Sequence, residues 1–201
     1  GEMDIVLTMF GMEKPVKIGT LNANGDFEIN LSVNPTEKLS EEERELYISN
    51  LSYGFQYVCG NPGDFPEGEA KIASSAQHIA LWADNTWAGV LFPVSDLKLQ
   101  LWMEDNGFND AVEGSFYQVL LVTEDVNLQK KCTNFDYYND EDIEVNVEYD
   151  LKLKKGLNLI AYQLESVYKT NPDIRASFPK KIRMTNAGDN PKIMWIAKYF
   201  F

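Results

Sequence analysis

The 201-residue sequence predicts an all-β protein, an antiparallel β-sandwich with one short helix near residues 41–51. Three observations predict it. The first is the stretch 143–163. Ile143, Val145, Val147, Tyr149, Leu151 and Leu153 alternate with polar residues, and after Lys155-Gly156 a second run, Leu157-Asn158-Leu159-Ile160-Ala161-Tyr162-Gln163, begins. Alternation gives one wet and one dry face, so the stretch reads as a half-buried antiparallel hairpin. The second is Phe116 to Val122, nearly continuously apolar, the pattern of a central strand covered on both faces. The third is the recurrence of short strand patterns with turn signals along the chain, as in a sandwich or barrel.

The elements follow in order. Ile5–Phe10 and Val16–Leu21 read as strands. Ala23-Asn24-Gly25-Asp26 is a turn, because Gly25 accepts the positive φ of a tight hairpin. Phe27, Ile29 and Leu31 alternate on a third strand, which Asn34-Pro35 ends, since proline donates nothing to a ladder. Ser40 and Glu43 form a capping box, and Glu41, Glu42 and Glu43 suit the positive end of a helix dipole. Leu46, Tyr47 and Leu51 supply that helix with a partial apolar face. Gly54 and Gly60-Asn61-Pro62-Gly63 mark the loop beyond it. Strand patterns resume at residue 69. Ile79 and Leu81 lead to a turn at Ala83-Asp84-Asn85, and Trp87–Phe92 returns. Leu97, Leu99, Leu101 and Met103 alternate as another strand, and Glu104–Ser115 reads as a loop. Asn134–Asp142 reads as an acidic loop, 168–191 as a long irregular excursion with Pro172, Pro179 and Pro191, and Ile193–Phe201 as a closing strand. The chain 1–201 is expected to be a single all-β unit. Its weakest joint is near 60–68, between an N-terminal meander with the helix (1–60) and the main sandwich (69–201).

A domain of this length buries roughly 70% of its unfolded surface, so a core forms without metal or disulfide staples. With 18 basic against 31 acidic residues, the formal net charge is −13. Such a chain is repelled by nucleic acid and by anionic membranes, and no nucleic-acid partner is expected. No segment approaches the roughly 20 apolar residues that span a bilayer. The opening Gly1-Glu2-Met3 reads as a remnant of tag cleavage, with a signal peptide expected upstream. Cys59 and Cys132 are the only cysteines. Bridged, they would contribute roughly 4 kcal/mol on the chain-entropy model; two free thiols fit the sequence equally well.

The candidate sites divide by chemistry. Trp82, Trp87, Trp102 and Tyr117 lie on the middle strands. Exposed, they would stack sugar rings; buried, they fill the core. Trp82 and Trp102 fall out of phase with their aliphatic neighbours, which makes them the leading binding candidates. Asp136, Asp140, Glu141 and Asp142 form a carboxylate-rich loop of the kind calcium uses, although EF-hand spacing is absent. A solvated turn is the plainer reading, and no cofactor is otherwise expected. Asp84, Glu104, Asp105, Asp110 and Glu113 include candidates for a glycosidase pair, which needs two carboxylates about 5–10 Å apart. His78 is the only histidine, has no triad or ligand spacing around it, and reads as structural; no Gly-x-Ser-x-Gly elbow accompanies it. Asn30-Leu31-Ser32 and Asn50-Leu51-Ser52 match the glycosylation triplet.

Two local patterns resemble known families. Gly19-Thr20-Leu21-Asn22-Ala23-Asn24-Gly25-Asp26-Phe27-Glu28-Ile29 resembles the strand-turn-strand of carboxypeptidase-regulatory-like, transthyretin-type β-sandwiches of secreted bacterial proteins. Asp150-Leu151-Lys152-Leu153-Lys154-Lys155-Gly156-Leu157-Asn158, with Trp195 near the end, resembles the late hairpin and terminal strand of uncharacterised surface lipoproteins of Gram-negative gut anaerobes. The resemblance covers about the first thirty and the last sixty residues. It implies a signal peptide and lipidated cysteine upstream, display outside the inner membrane, and no known enzymatic activity. The expected function is therefore a secreted or lipid-anchored surface protein with a non-enzymatic binding or structural role, its partner a glycan or another surface protein. A carbohydrate-binding module using the aromatics and a hydrolase with an acidic pair are the alternatives.

Overall fold

The computed structural model describes residues 1–9, 15–38, 40–42, 48–60, 72–188 and 192–200. Among them, twelve strands join one hydrogen-bonded sheet. In chain order they are β1 (Met3–Met9), β2 (Val16–Leu21), β3 (Phe27–Ile29), β4 (Ile48–Ser49), β5 (Ile72–Ala83), β6 (Thr86–Val94), β7 (Gly114–Val122), β8 (Val126–Tyr138), β9 (Glu141–Leu153), β10 (Gly156–Tyr168), β11 (Phe178–Asn186) and β12 (Met194–Tyr199). One α-helix, α1 (Leu97–Glu104), and 3-10 turns at Pro35–Lys38 and Leu51–Gly54 are also described. The main path runs β3-β2-β1-β5-β6-β7-β10-β11-β9-β8, with β12 beside β6 and β4 beside β5.

The sheet folds over as a sandwich. β7 pairs with β10 and β8 pairs with β9, both antiparallel, and β11 links the two pairs along one side. The first core lies between them. It takes Phe116, Leu120 and Val122 from β7, the inward row Ile143 to Leu153 of β9, and Ile160, Tyr162 and Leu164 from β10. The opposite face of β7 gives Val119 and Leu121 to a second core, with Ile5, Leu7, Ile18, Ile79 and Leu81. Phe116 to Val122 is thus covered on both faces, as its unbroken apolar run predicts. The tight turns carry the residues they need. Asp84 and Asn85, and Asn139 and Asp140, occupy the paired positive-φ positions of two-residue hairpins, and Gly25 has φ 90°.

Several expectations are corrected. The helix expected over 41–51 is helical at Glu41 and Glu42; residues 43–47 lie outside the described residues, and Ile48–Ser49 is strand. The complete helix is α1, where the alternation of Leu97, Leu99, Leu101 and Met103 predicts a strand. Leu97, Leu99 and Leu101 fit a period of two, but Asp96 caps a helix by accepting from the Lys98 N–H, and Leu99 and Trp102, three apart, turn inward. Asn134–Asp142 is not a loop: it is the tip of the β8–β9 ladder around Asn139-Asp140. Residues 143–163 are not a hairpin. β9 and β10 have the expected alternation, yet β11 lies between them, parallel to β9 and antiparallel to β10. β11 itself falls inside the stretch read as irregular, where Phe178, Ile182 and Met184 are buried. The joint expected near 60–68 lies outside the described residues, save Gly60.

Candidate functional site

The ladder between β6 and β7 is reduced to one registered pair, Val94↔Phe116. Beyond it the strands part. β5 spans the breach: Ile72, Ala73 and Ser75 pair with β7, and Ile79 to Ala83 pair with β6. Backbone groups tie adjacent strands wherever they stay in register, so a breach of this kind is an opening in the sheet. Pro93, which has no N–H to donate, stands on its β6 side.

A cavity of about 380 Å³ occupies the opening. Its wall includes the consecutive residues Tyr117, Gln118 and Val119 of β7, together with His78 and Ile79 of β5 and Val90 to Pro93 of β6. Successive strand residues point to opposite faces, so the cavity reaches through the thickness of the sheet. Trp102 and Met103 of α1, Asn106 just beyond it, and Gln56 and Tyr57 of the 50–60 segment are the other described residues of the lining. Among these lining residues none is a carboxylate, lysine or arginine.

The 50–60 segment is held by covalent and hydrogen bonds. Asn50 caps the turn Leu51–Gly54 by accepting from the Ser52 N–H at 3.0 Å. Cys59, fully buried, is joined to Cys132 of β8 by a disulfide. Asn134 donates to the Val58 carbonyl at 2.8 Å, and the Tyr149 hydroxyl donates to the Tyr57 carbonyl. Phe55 packs edge-on against Tyr149. At the cavity wall the Gln56 N–H donates to the Tyr162 hydroxyl at 3.3 Å, and that hydroxyl donates to Gln118 Oε1 at 2.6 Å. Tyr162 stacks flat on Phe116, which also meets Trp102. Burial pushes the phenols of Tyr57, Tyr149 and Tyr162 well above the ordinary tyrosine range, because the charged form would be poorly solvated there. Tyr117 is raised for the same reason, with a Ser115 hydrogen bond acting against it.

The aromatic candidates separate into two places. Trp102 and Tyr117 meet at the cavity. Trp102 is corrected from an outward platform to a core side chain, 5% exposed, because it sits on the inner face of a helix and not on a strand. Trp82 and Trp87 are register partners at the far end of β5 and β6. Trp82 is half-buried with its indole Nε1 unpartnered; Trp87 is 52% exposed, donates to the Gly89 carbonyl and meets Phe200 edge-on.

The carboxylates disperse. Asp136 accepts two hydrogen bonds from Arg175, Asp140 accepts from the Tyr137 hydroxyl, and Asp142 is exposed on β9. No three metal-ligating side chains gather among the described residues. Glu104 pairs with Lys198 and accepts from Gln100, Asp105 accepts from the Gly107 N–H, and Asp110 accepts from the Ser177 N–H. These bonds fix α1 and its exit. The amide sites Gln56, Asn106 and Gln118 escaped the sequence reading. Gln118 carried a signal: a lone amide inside the apolar run Phe116–Val122 must find a buried partner.

Comparison with family models, with curated proteins and with solved structures finds no match to this chain.

Proposed function

We propose that the chain is a non-enzymatic binding protein that acts outside the cytoplasm, secreted or held at the cell surface by a lipid anchor, and takes a small neutral ligand into the opening between β6 and β7. One observation carries this reading: in a protein of net charge −13, the described residues that line the opening are aromatic, aliphatic and amide-bearing with one histidine, and none of them is a carboxylate, lysine or arginine. A cavity of this volume lies within the roughly 300–1,000 Å³ of small-molecule sites. A charged ligand entering it would lose hydration and gain no counter-charge. Of the acidic residues considered for hydrolysis, Glu104, Asp105 and Asp110 are engaged in bonds around α1, and none of the five is among the described residues that line the opening. The disulfide supports the compartment, since such bonds persist in oxidising surroundings.

Protein-observed NMR with neutral fragments of varied chemistry tests the ligand claim. Saturable shifts of the Trp102 indole signal are expected; a library that leaves it unmoved refutes the claim. Fractionation of the full-length protein tests the compartment, where recovery in the cytosol would overturn export.

A further inference from the structure

We infer that the ligand of this cavity is a neutral saccharide, recognised in part by a hydrogen-bond donor that the fold orients at Gln118; the inference rests on the binding reading above. The orientation follows from the direction of two hydrogen bonds. A backbone N–H only donates, so the Tyr162 hydroxyl oxygen accepts from Gln56. Its single hydrogen then goes to Gln118 Oε1. With Oε1 committed, the side-chain amide cannot flip without leaving the hydrogen of a buried phenol without its acceptor. The Nε2 group is what remains for a ligand, and it is a donor. Tyr162 is the positioning residue, and its own ring is locked by stacking on Phe116 at 4.6 Å between centroids.

The class of ligand follows from the distribution of groups. Polar side chains reach the cavity from four directions: Gln56 from the 50–60 segment, His78 from β5, Asn106 from beyond α1 and Gln118 from β7. Trp102 and Tyr57 add aromatic surface. A lipid chain would offer no partner to these four polar groups, of which Gln118 is buried and the other three are exposed. A carboxylate or amine would meet no lysine, arginine or carboxylate among the described lining residues. A sugar ring offers neutral hydroxyls around its whole rim and apolar C–H faces to aromatic rings, which answers both halves of the lining.

The test uses the purified chain with its disulfide intact. Glucose, galactose, mannose, N-acetylglucosamine, cellobiose and maltose are titrated, with glucuronic acid and glucosamine as charged counterparts. At least one neutral sugar is expected to shift the Trp102 indole saturably and to bind about tenfold more tightly than its charged counterpart. Asn106→Ala, at an exposed position, is expected to weaken that sugar about tenfold with an unchanged melting temperature. Tyr162→Phe, which keeps the stacked ring and frees the amide, is expected to weaken it to a similar degree. Neutral fragments that bind at Trp102 while every sugar fails would overturn the saccharide class and leave the binding reading standing. Failure of sugars and fragments alike would remove both. Sugar binding that survives Tyr162→Phe undiminished would remove the Gln118 donor from recognition.

Discussion

The β8–β9 and β6–β7 pairs are built from the same kind of residue and end differently. β8 and β9 keep one unbroken register from Val126↔Leu153 to Tyr138↔Glu141. β6 and β7 meet at Val94↔Phe116 alone. The long ladder pairs every residue of β8 with one of β9 and sends its inward row into the core and its outward row to solvent, with β8 as an edge of the sheet. The failed ladder leaves space, and neutral amides and aromatic rings collect around that space. Under the proposed function, capacity for binding arises where pairing stops. The disulfide joins the two regions, because Cys132 on the regular ladder anchors the segment that roofs the irregular one.

The largest effect should come from cutting that link. Replacing Cys59 and Cys132 together by Ala is expected to cost about 4 kcal/mol in urea unfolding, through the entropy returned to the unfolded chain. If the roof depends on it, ligand-induced shifts at Trp102 should vanish while β9 amides stay protected from exchange. A uniform loss of protection would erase the distinction between the regions.

The next effect is alkaline. In the unfolded chain phenols ionise near pH 10. Burial raises the pKa of Tyr57, Tyr149 and Tyr162 in the fold, so above pH 10 the native state holds more protons than the unfolded one. Their contribution to stability is whole below pH 10 and falls as pH rises beyond it, by roughly 1.4 kcal/mol per pH unit for each phenol that stays protonated. Tyrosinate absorbance from these three should then appear together with unfolding. An earlier rise would show that the opening admits hydroxide and water to its phenols.

Smaller effects test the ladder alone. Asn139→Val places a β-branched residue at φ 54° and is expected to lower stability by about 1–2 kcal/mol in denaturant melts, without altering the cavity. Thr133→Ala removes a 3.0 Å cross-strand bond to Asn146 on the exposed face. Its expected cost is roughly 0.2–1 kcal/mol, and a larger loss would mean that the outward row does more than meet solvent.

The sequence was most legible where geometry is local. Ile143 to Leu153 show their inward face by alternation, and Asp84-Asn85 show their turn by residue type. Pairing is a different property. Nothing in Lys154-Lys155-Gly156 says that another strand will enter between its neighbours, since strand order depends on residues far away in the chain. The run Leu97–Met103 was ambiguous because alternate leucines serve a short helix nearly as well as a strand. At the site, ring chemistry points to Trp102 and Tyr117 from the sequence but not to Gln118, because a cavity between parting strands is visible only once the strands are placed.

The position of β11 also bears on the order of assembly. β9 and β10 are separated by two residues, yet their central portions can come to rest only when a strand from later in the chain lies between them. Asn186 marks the end of that entry, exchanging hydrogen bonds with the Lys152 backbone while Ala187 donates to the Leu159 carbonyl. Contacts between residues distant in sequence form late, because closing their loop costs entropy first. The β8–β9 and β10–β11 pairs, each closed by nearby residues, therefore take shape before the parallel β9–β11 contacts, and this side of the sandwich is completed when one pair docks along the other.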